Sequence, residues 1–262
     1  GGGGQDPNLY GVILTSPDGM TWTRRTAETP NYLHGVTYES DLFIAVGDYG
    51  AILTSPDGIT WTSRTPGLAY SVNGVTYGKG RFAAVGTASG GAHQTWSGVA
   101  FASPDGNTWS NCALAPDTSL GGIVYGSGLF AAVGGGDTST NNGLILASFD
   151  GLTWTNRSSG DFPWLNRVAY GKNQFVAVGS RGTIVASPDG IHWTNATSPT
   201  ANDLLGIAYG KDQFVAVGKD MILTSPDGTA WTPREAPMVG DLSGVAFGND
   251  RYVAVGSKRD AA

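Results

Sequence analysis

Six copies of one heptapeptide, set about 40 residues apart, leave this chain very few ways to fold. Ser55-Pro56-Asp57-Gly58-Ile59-Thr60-Trp61 is typical, and the others run from Ser16, Ser103, Ser148, Ser187 and Ser225 to Trp22, Trp109, Trp154, Trp193 and Trp231. A second motif alternates with the first. Gly35-Val36-Thr37-Tyr38 followed by Phe43-Ile44-Ala45-Val46-Gly47 recurs at 74–86, 122–134, 167–179, 206–218 and 244–256. Each repeat therefore reads as four short strands, a (GVTY), b (FIAVG), c (AILTS) and d (TWT), parted by Gly, Asn and Asp turn residues. No segment carries a helical period over three turns.

The spacings say how the strands are connected. Start of a to end of b, motif Ser to motif Trp, and motif Trp to the next a are each constant in all six copies. Only the step from b to c varies: 8 residues from Gly47 to Ser55, 17 from Gly86 to Ser103, 14 from Gly134 to Ser148, 8 from Gly179 to Ser187 and 7 from Gly218 to Ser225. Four-stranded units of this length are the mark of β-propeller blades. The chain opens on c and d and ends on a and b, so the two half-blades complement each other. The expected fold is an all-β, six-bladed β-propeller of four-stranded antiparallel blades over 10–262, behind a Gly-rich leader over 1–9. Pairing of the N-terminal c and d with the C-terminal a and b closes the ring, because an open array leaves unpaired strand edges. With a at the channel and d outermost, the variable b–c loops share one face with the d–a loops and both termini.

Ser-Pro-Asp-Gly between strands is a turn with a mechanism. Pro sets φ, Asp accepts hydrogen bonds from nearby amides, and Gly supplies the positive φ. Phe149 replaces the Pro in the fourth copy. Asp18, Asp57, Asp105, Asp150, Asp189 and Asp227 are thus turn formers rather than a catalytic array, and each terminal Trp is placed to cover a neighbouring blade. In these residues the copies resemble the Asp-box, or BNR, repeat of sialidase-type propellers, Ser-x-Asp-x-Gly-x-Thr-Trp. Ser55, Asp57, Thr60 and Trp61 fill the matching places, but Gly58 follows Asp57 directly, so the turn is one residue shorter. The resemblance runs from Tyr10 to Gly256 and implies the propeller fold. The family spans glycosidases, photosystem assembly factors, sorting receptors and bacterial surface proteins, so it does not choose a function. Sialidases resemble one another in an arginine triad, a Tyr–Glu nucleophile pair and an Asp acid. No Arg-Ile-Pro-type motif precedes the first copy here, and Glu28, Glu39 and Glu235 do not fall where they would pair with a central Tyr, so sialidase activity is not expected.

Composition narrows the partners. A net charge of -6 disfavours a nucleic-acid groove and an anionic membrane surface. No apolar run is long enough for a membrane-spanning helix. The single cysteine, Cys112, leaves no internal disulfide. Gly1–Gly4 resembles the glycine run that follows the lipidated cysteine of many bacterial lipoproteins, which implies a lipid anchor upstream of Gly1. The expected location is therefore extracellular or at the cell surface.

Departures from the repeat point to the function. Trp96 lies in the longest b–c insertion and Trp164 in a d–a loop, both on the variable face, where exposed rings stack on sugars or anchor protein interfaces. Residues just before strand a differ in every blade and ring the channel mouth: Tyr32 and His34, Asn73, Trp164 and Asn166, Asp203, Asp241. Arg167 replaces the glycine that opens strand a elsewhere. Between the variable places sits a constant apolar one (Leu33, Val72, Leu120, Leu165, Leu204, Leu242), assigned to the core. These polar and aromatic residues are the candidate ligand site of a non-enzymatic binding scaffold. Its partner would be a protein or a glycan, within a larger surface assembly. The alternative is a carbohydrate-active enzyme with Asp203 and Asp241 as its acids at the channel mouth. No metal or cofactor is expected. His34, His93 and His192 fall in unrelated loops, and the 137–148 segment departs from an EF-hand at Asn142 and Ser148.

Overall fold

The structure, a computed structural model, describes residues 11–18, 21–26, 29–64, 70–88, 97–114, 118–136, 142–158, 162–235 and 240–258. The described strands form seven antiparallel sheets, five of four strands and two of two. The first small sheet pairs β1 (Ile13–Thr15) with β2 (Thr23–Arg25). Blade 1 holds β3 (Leu33–Glu39), β4 (Leu42–Gly47), β5 (Ile52–Ser55) and β6 (Thr62–Ser63). Blade 2 holds β7 (Tyr70–Gly78), β8 (Arg81–Ala88), β9 (Ser97–Ser103) and β10 (Ser110–Cys112). Blade 3 holds β11 (Ser119–Gly126), β12 (Leu129–Gly135), β13 (Gly143–Ser148) and β14 (Thr155–Asn156). Blade 4 holds β15 (Leu165–Gly171), β16 (Gln174–Gly179), β17 (Ile184–Ser187) and β18 (Thr194–Asn195). Blade 5 holds β19 (Leu204–Gly210), β20 (Gln213–Gly218), β21 (Met221–Ser225) and β22 (Thr232–Arg234). The last sheet pairs β23 (Gly240–Gly248) with β24 (Arg251–Lys258).

Strand order within every complete blade follows the sequence, a-b-c-d. Hairpins a–b close on tight turns whose central residues have positive φ, such as Lys172-Asn173 at 49° and 58° and Lys211-Asp212 at 45° and 58°. This is the turn geometry whose twist matches paired strands. Alternation along b places one face against each neighbouring blade. Ile44, Val46 and Ile52 of blade 1 pack with Phe82, Ala84 and Phe101 of blade 2, and the same pattern repeats around the molecule. The core is therefore a series of blade-to-blade joints rather than one central mass.

The repeated turn behaves as its residues demand. The Asp57 Oδ1 accepts from the Ser55 hydroxyl at 2.9 Å and from the amides of Ile59 and Thr60 at 2.8 Å. The Trp61 indole donates to the Gly58 carbonyl at 2.9 Å, and Gly58 sits at φ 70°. Asp105, Asp150, Asp189 and Asp227 repeat this network. Amides aimed at a carboxylate favour its charged form. The Thr60 amide first, then those of Ile59 and the Ser55 hydroxyl, hold Asp57 at about 2. The Thr153 and Thr229 amides do the same for Asp150 and Asp227, also at about 2.

Acid sensitivity follows from these depressed values. A carboxylate whose folded pKa lies below its unfolded value stabilises the fold above the unfolded pKa and loses that contribution as pH falls through the folded one. The melting temperature is therefore expected to hold down to about pH 4 and then to fall steeply toward pH 2. Scanning calorimetry across that window checks it, and a flat profile would refute the role given to the turn carboxylates.

One expectation differs from the structure. The half-blade β1–β2 and the half-blade β23–β24 are separate two-stranded sheets, not one four-stranded blade. The physical consequence shows in their side chains. Trp61, Trp193 and Trp231 are 7%, 5% and 9% exposed, whereas Trp22, at the same place in β1–β2, is 58% exposed.

Candidate functional site

The loops on the variable face are held by one recurring clasp. The residue after the last glycine of strand b donates its amide to the carbonyl three positions before the strand a motif. Asp48 bonds Tyr32 at 2.9 Å, Ser180 bonds Trp164 at 2.8 Å and Lys219 bonds Asp203 at 3.0 Å. The glycine is required by closeness: a Cβ on Gly47, Gly179 or Gly218 would lie 1.9–2.0 Å from the accepting oxygen. In blades 1 and 4 the clasp is followed by a short 3-10 turn, Asp48–Gly50 and Ser180–Gly182. Its middle residue, Tyr49 or Arg181, is left-handed at φ 55° and 54°, a conformation that costs a non-glycine residue free energy.

Every strand a carries a register shift at the same place: Leu33/Gly35, Val72/Gly74, Leu120/Gly122, Leu165/Arg167, Leu204/Gly206 and Leu242/Gly244. In blades 1, 2 and 4 the skipped residue is a candidate at the channel mouth, His34, Asn73 or Asn166, and a bulge re-aims such a side chain. Asn73 and Asn166 take it in blades 2 and 4. Their Nδ2 atoms donate to the Leu120 and Leu204 carbonyls of the next blade, both at 2.8 Å. These two candidates act as struts between blades. The apolar place beside them is buried as expected at Val72, Leu120, Leu165 and Leu204.

Arg167 turns toward blade 3. Its Nη1 donates to the Gly121 carbonyl at 2.7 Å and to the Asn166 carbonyl at 2.9 Å, and burial pushes its pKa down. Trp164 is half-buried with its ring over Gly135, where a Cβ would sit 2.0 Å from the ring. It walls the b–c loop of blade 3 rather than standing free. Tyr32 is exposed. His34 Nε2 lies 2.8 Å from Asp48 Oδ1, which also accepts from the Ser71 hydroxyl of blade 2 at 2.7 Å. Trp96 and His93 lie outside the described residues.

Asp203 is held by charge as well as by the clasp. Lys219 Nζ donates to its Oδ2 at 2.7 Å and the Arg181 amide to its Oδ1 at 2.9 Å. The Lys219 contact, and then the Arg181 amide, lower its pKa below the ordinary carboxylate range. That is the opposite of what a general acid needs. Asp241 enters the same neighbourhood through a backbone bridge to Lys219. No group of three or more His, Cys, Asp or Glu placed to hold a metal occurs among the described residues. Asp48, Tyr49, Arg181 and Lys219 were not among the sequence candidates. Aligning the two equal-length b–c loops, Gly47-Asp48-Tyr49-Gly50 and Gly179-Ser180-Arg181-Gly182, would have revealed Tyr49 and Arg181 as the variable tips.

No family model matches the chain, and neither does any curated protein. Solved structures do. YCF48 bound to D1 peptide superposes with a TM-score of 0.68 at 17% identity, covering 95% of this chain and 84% of that one. YCF48 from Cyanidioschyzon merolae gives 0.63 at 18%, covering 89% and 82%. The WD40 β-propeller domain of Doa1 gives 0.66 at 13%, covering 95% and 84%. The fold is that of a β-propeller. At these identities the likeness is one of architecture.

Proposed function

We propose that this chain is a non-enzymatic binding scaffold whose b–c and d–a loops hold a peptide or protein segment. The observation that carries the reading is the clasp. It fixes exposed Tyr32 and the strained tips Tyr49 and Arg181 on a rigid rim, and such preorganised aromatic and cationic groups are the usual anchors of interfaces. A neighbour of the same architecture, YCF48, is known with a D1 peptide bound, which supports a peptide-binding use of the fold. The repeat counts six blades, five of them complete and the sixth split between β23–β24, which carry its a and b strands, and β1–β2, which carry its c and d strands, in separate sheets. The repeated turn is a shortened Asp-box. The leader and its lipoprotein-like glycine run support display outside the cell or at its surface.

A displayed-peptide library selected on the immobilised chain tests the reading. The selected peptides are expected to bind the Tyr32→Ala/Tyr49→Ala/Arg181→Ala variant at least about tenfold more weakly. Peptides that bind this variant equally well, or a glycan array that yields the only ligands, would overturn it.

A further inference from the structure

Four joints between neighbouring blades are sealed by the same contact. An aromatic ring of strand a covers the glycine that ends strand a of the preceding blade. A Cβ on Gly78, Gly126, Gly171 or Gly210 would sit 2.0–2.3 Å from the ring of Tyr125, Tyr170, Tyr209 or Phe247. The chain holds one more such pair that is not joined. The Cβ position of Gly248 has nothing within 4 Å, and Tyr38 is 50% exposed.

The same seam is open along its whole depth. Val253 and Val255 of β24 are 60% and 59% exposed, while Ile44 and Val46, at the same places in β4, are fully buried against blade 2. On blade 1, Val36 is 67% exposed. A cavity of about 500 Å³ lies between β1 and blade 1, lined by Ile13, Leu14, Val36, Phe43, Ala45 and Trp61. Among the described residues β1 pairs only with β2, and β24 only with β23, so each presents an edge open to strand addition there.

Register identifies what fits the slot. In all five complete blades the first residue of b lies opposite the motif serine, as Phe43 opposite Ser55 and Phe214 opposite Ser225. Applied to the half-blades, that register sets Tyr252 opposite Ser16, Ala254 opposite Leu14 and Val255 opposite Ile13. Ile13 already packs into the blade 1 core, so the same face of β24 delivers Val253 and Val255 into the cavity.

We propose that this seam is the joint between successive copies of the chain. β24 of one copy adds to the free edge of β1 of the next, filling the cavity and seating Tyr38 on Gly248. The occupant has to be a strand b, and β24 is the one strand b with a free edge among the described residues. The chain's own β23–β24 is committed elsewhere. Phe247 covers Gly210, and the Tyr252 hydroxyl donates to the carbonyls of Gly210 and Gln213, while the slot stays empty. The two surfaces differ and sit at opposite ends of the run of blades. Each docking event therefore leaves a fresh edge, and copies add head to tail. The inference uses the fold and not the loop face, so the binding reading stands or falls separately.

Two variants that each add one cysteine, Leu14→Cys and Ala254→Cys, test it directly. Residues opposite one another in an antiparallel pair lie about 4.5–5.5 Å apart at Cα, within disulfide reach. Mixed and gently oxidised, the two variants are expected to form a linked heterodimer, and the double variant a ladder of multimers. The buried Cys112 makes the wild-type chain the blank. By sedimentation, the mass of the wild-type chain should at least double with concentration. Val255→Asp, at an exposed position, should hold it at the monomer mass. A crosslink confined within single chains of the double variant would show the ring closing on itself and overturn the proposal. So would no crosslink in either sample.

Discussion

Trp193→Ala is expected to lower the stability of the fold by about 3–5 kcal/mol, and Trp22→Ala by less than about 1 kcal/mol. The two residues end the same heptapeptide, so sequence alone gives them equal weight. Trp193 is buried among Leu129, Val168 and Phe175, and its indole donates to the Gly190 carbonyl at 3.1 Å. Truncating it leaves a cavity in a joint that neighbouring blades hold open, so both the transfer and the cavity costs are incurred. Trp22 is exposed, so its truncation leaves no cavity of that kind. Urea unfolding in a Val255→Asp background, where copies stay apart, gives the comparison. Equal losses at the two positions would contradict the seam.

Gly179→Ala is expected to destabilise by about 3 kcal/mol or more, at or beyond the upper end of ordinary overpacking. The new Cβ would meet the Trp164 carbonyl oxygen at 2.0 Å and Leu165 Cα at 2.9 Å, all of it backbone. Relief requires breaking the Ser180–Trp164 clasp, so the change should also displace the loop carrying Arg181 and weaken any ligand of that face. Gly248→Ala is the control, since nothing lies within 4 Å of its Cβ position. It should leave monomer stability within about 0.5 kcal/mol. Thermal melts of both variants decide the matter, and a Gly179→Ala chain as stable as the control would remove the clasp as a constraint.

The features legible in the sequence are those set by short-range chemistry. Asp57 forms its turn with residues two and three positions on, and the apolar place before strand a is buried in blades 2 to 5. The candidate site was only partly legible. Asn73 and Asn166 look like open ligand donors until the bulge aims them at the next blade. Asp203 looks like an acid until Lys219, sixteen residues away, fixes it as an anion. Those roles depend on hydrogen bonds between loops and blades, which no local pattern encodes.

By itself, the sequence determined the four-strand repeat, its turns, the positions of its glycines and the face on which loops vary. Each of these follows from steric and hydrogen-bonding preferences acting within a few residues. Only the tertiary structure decided which rim residues are struts, which are clasped and which stand exposed, and that the seam between the half-blades is open. A ring closes or fails to close on the sum of its joint angles. That sum is a property of five blade interfaces together, and no single repeat contains it.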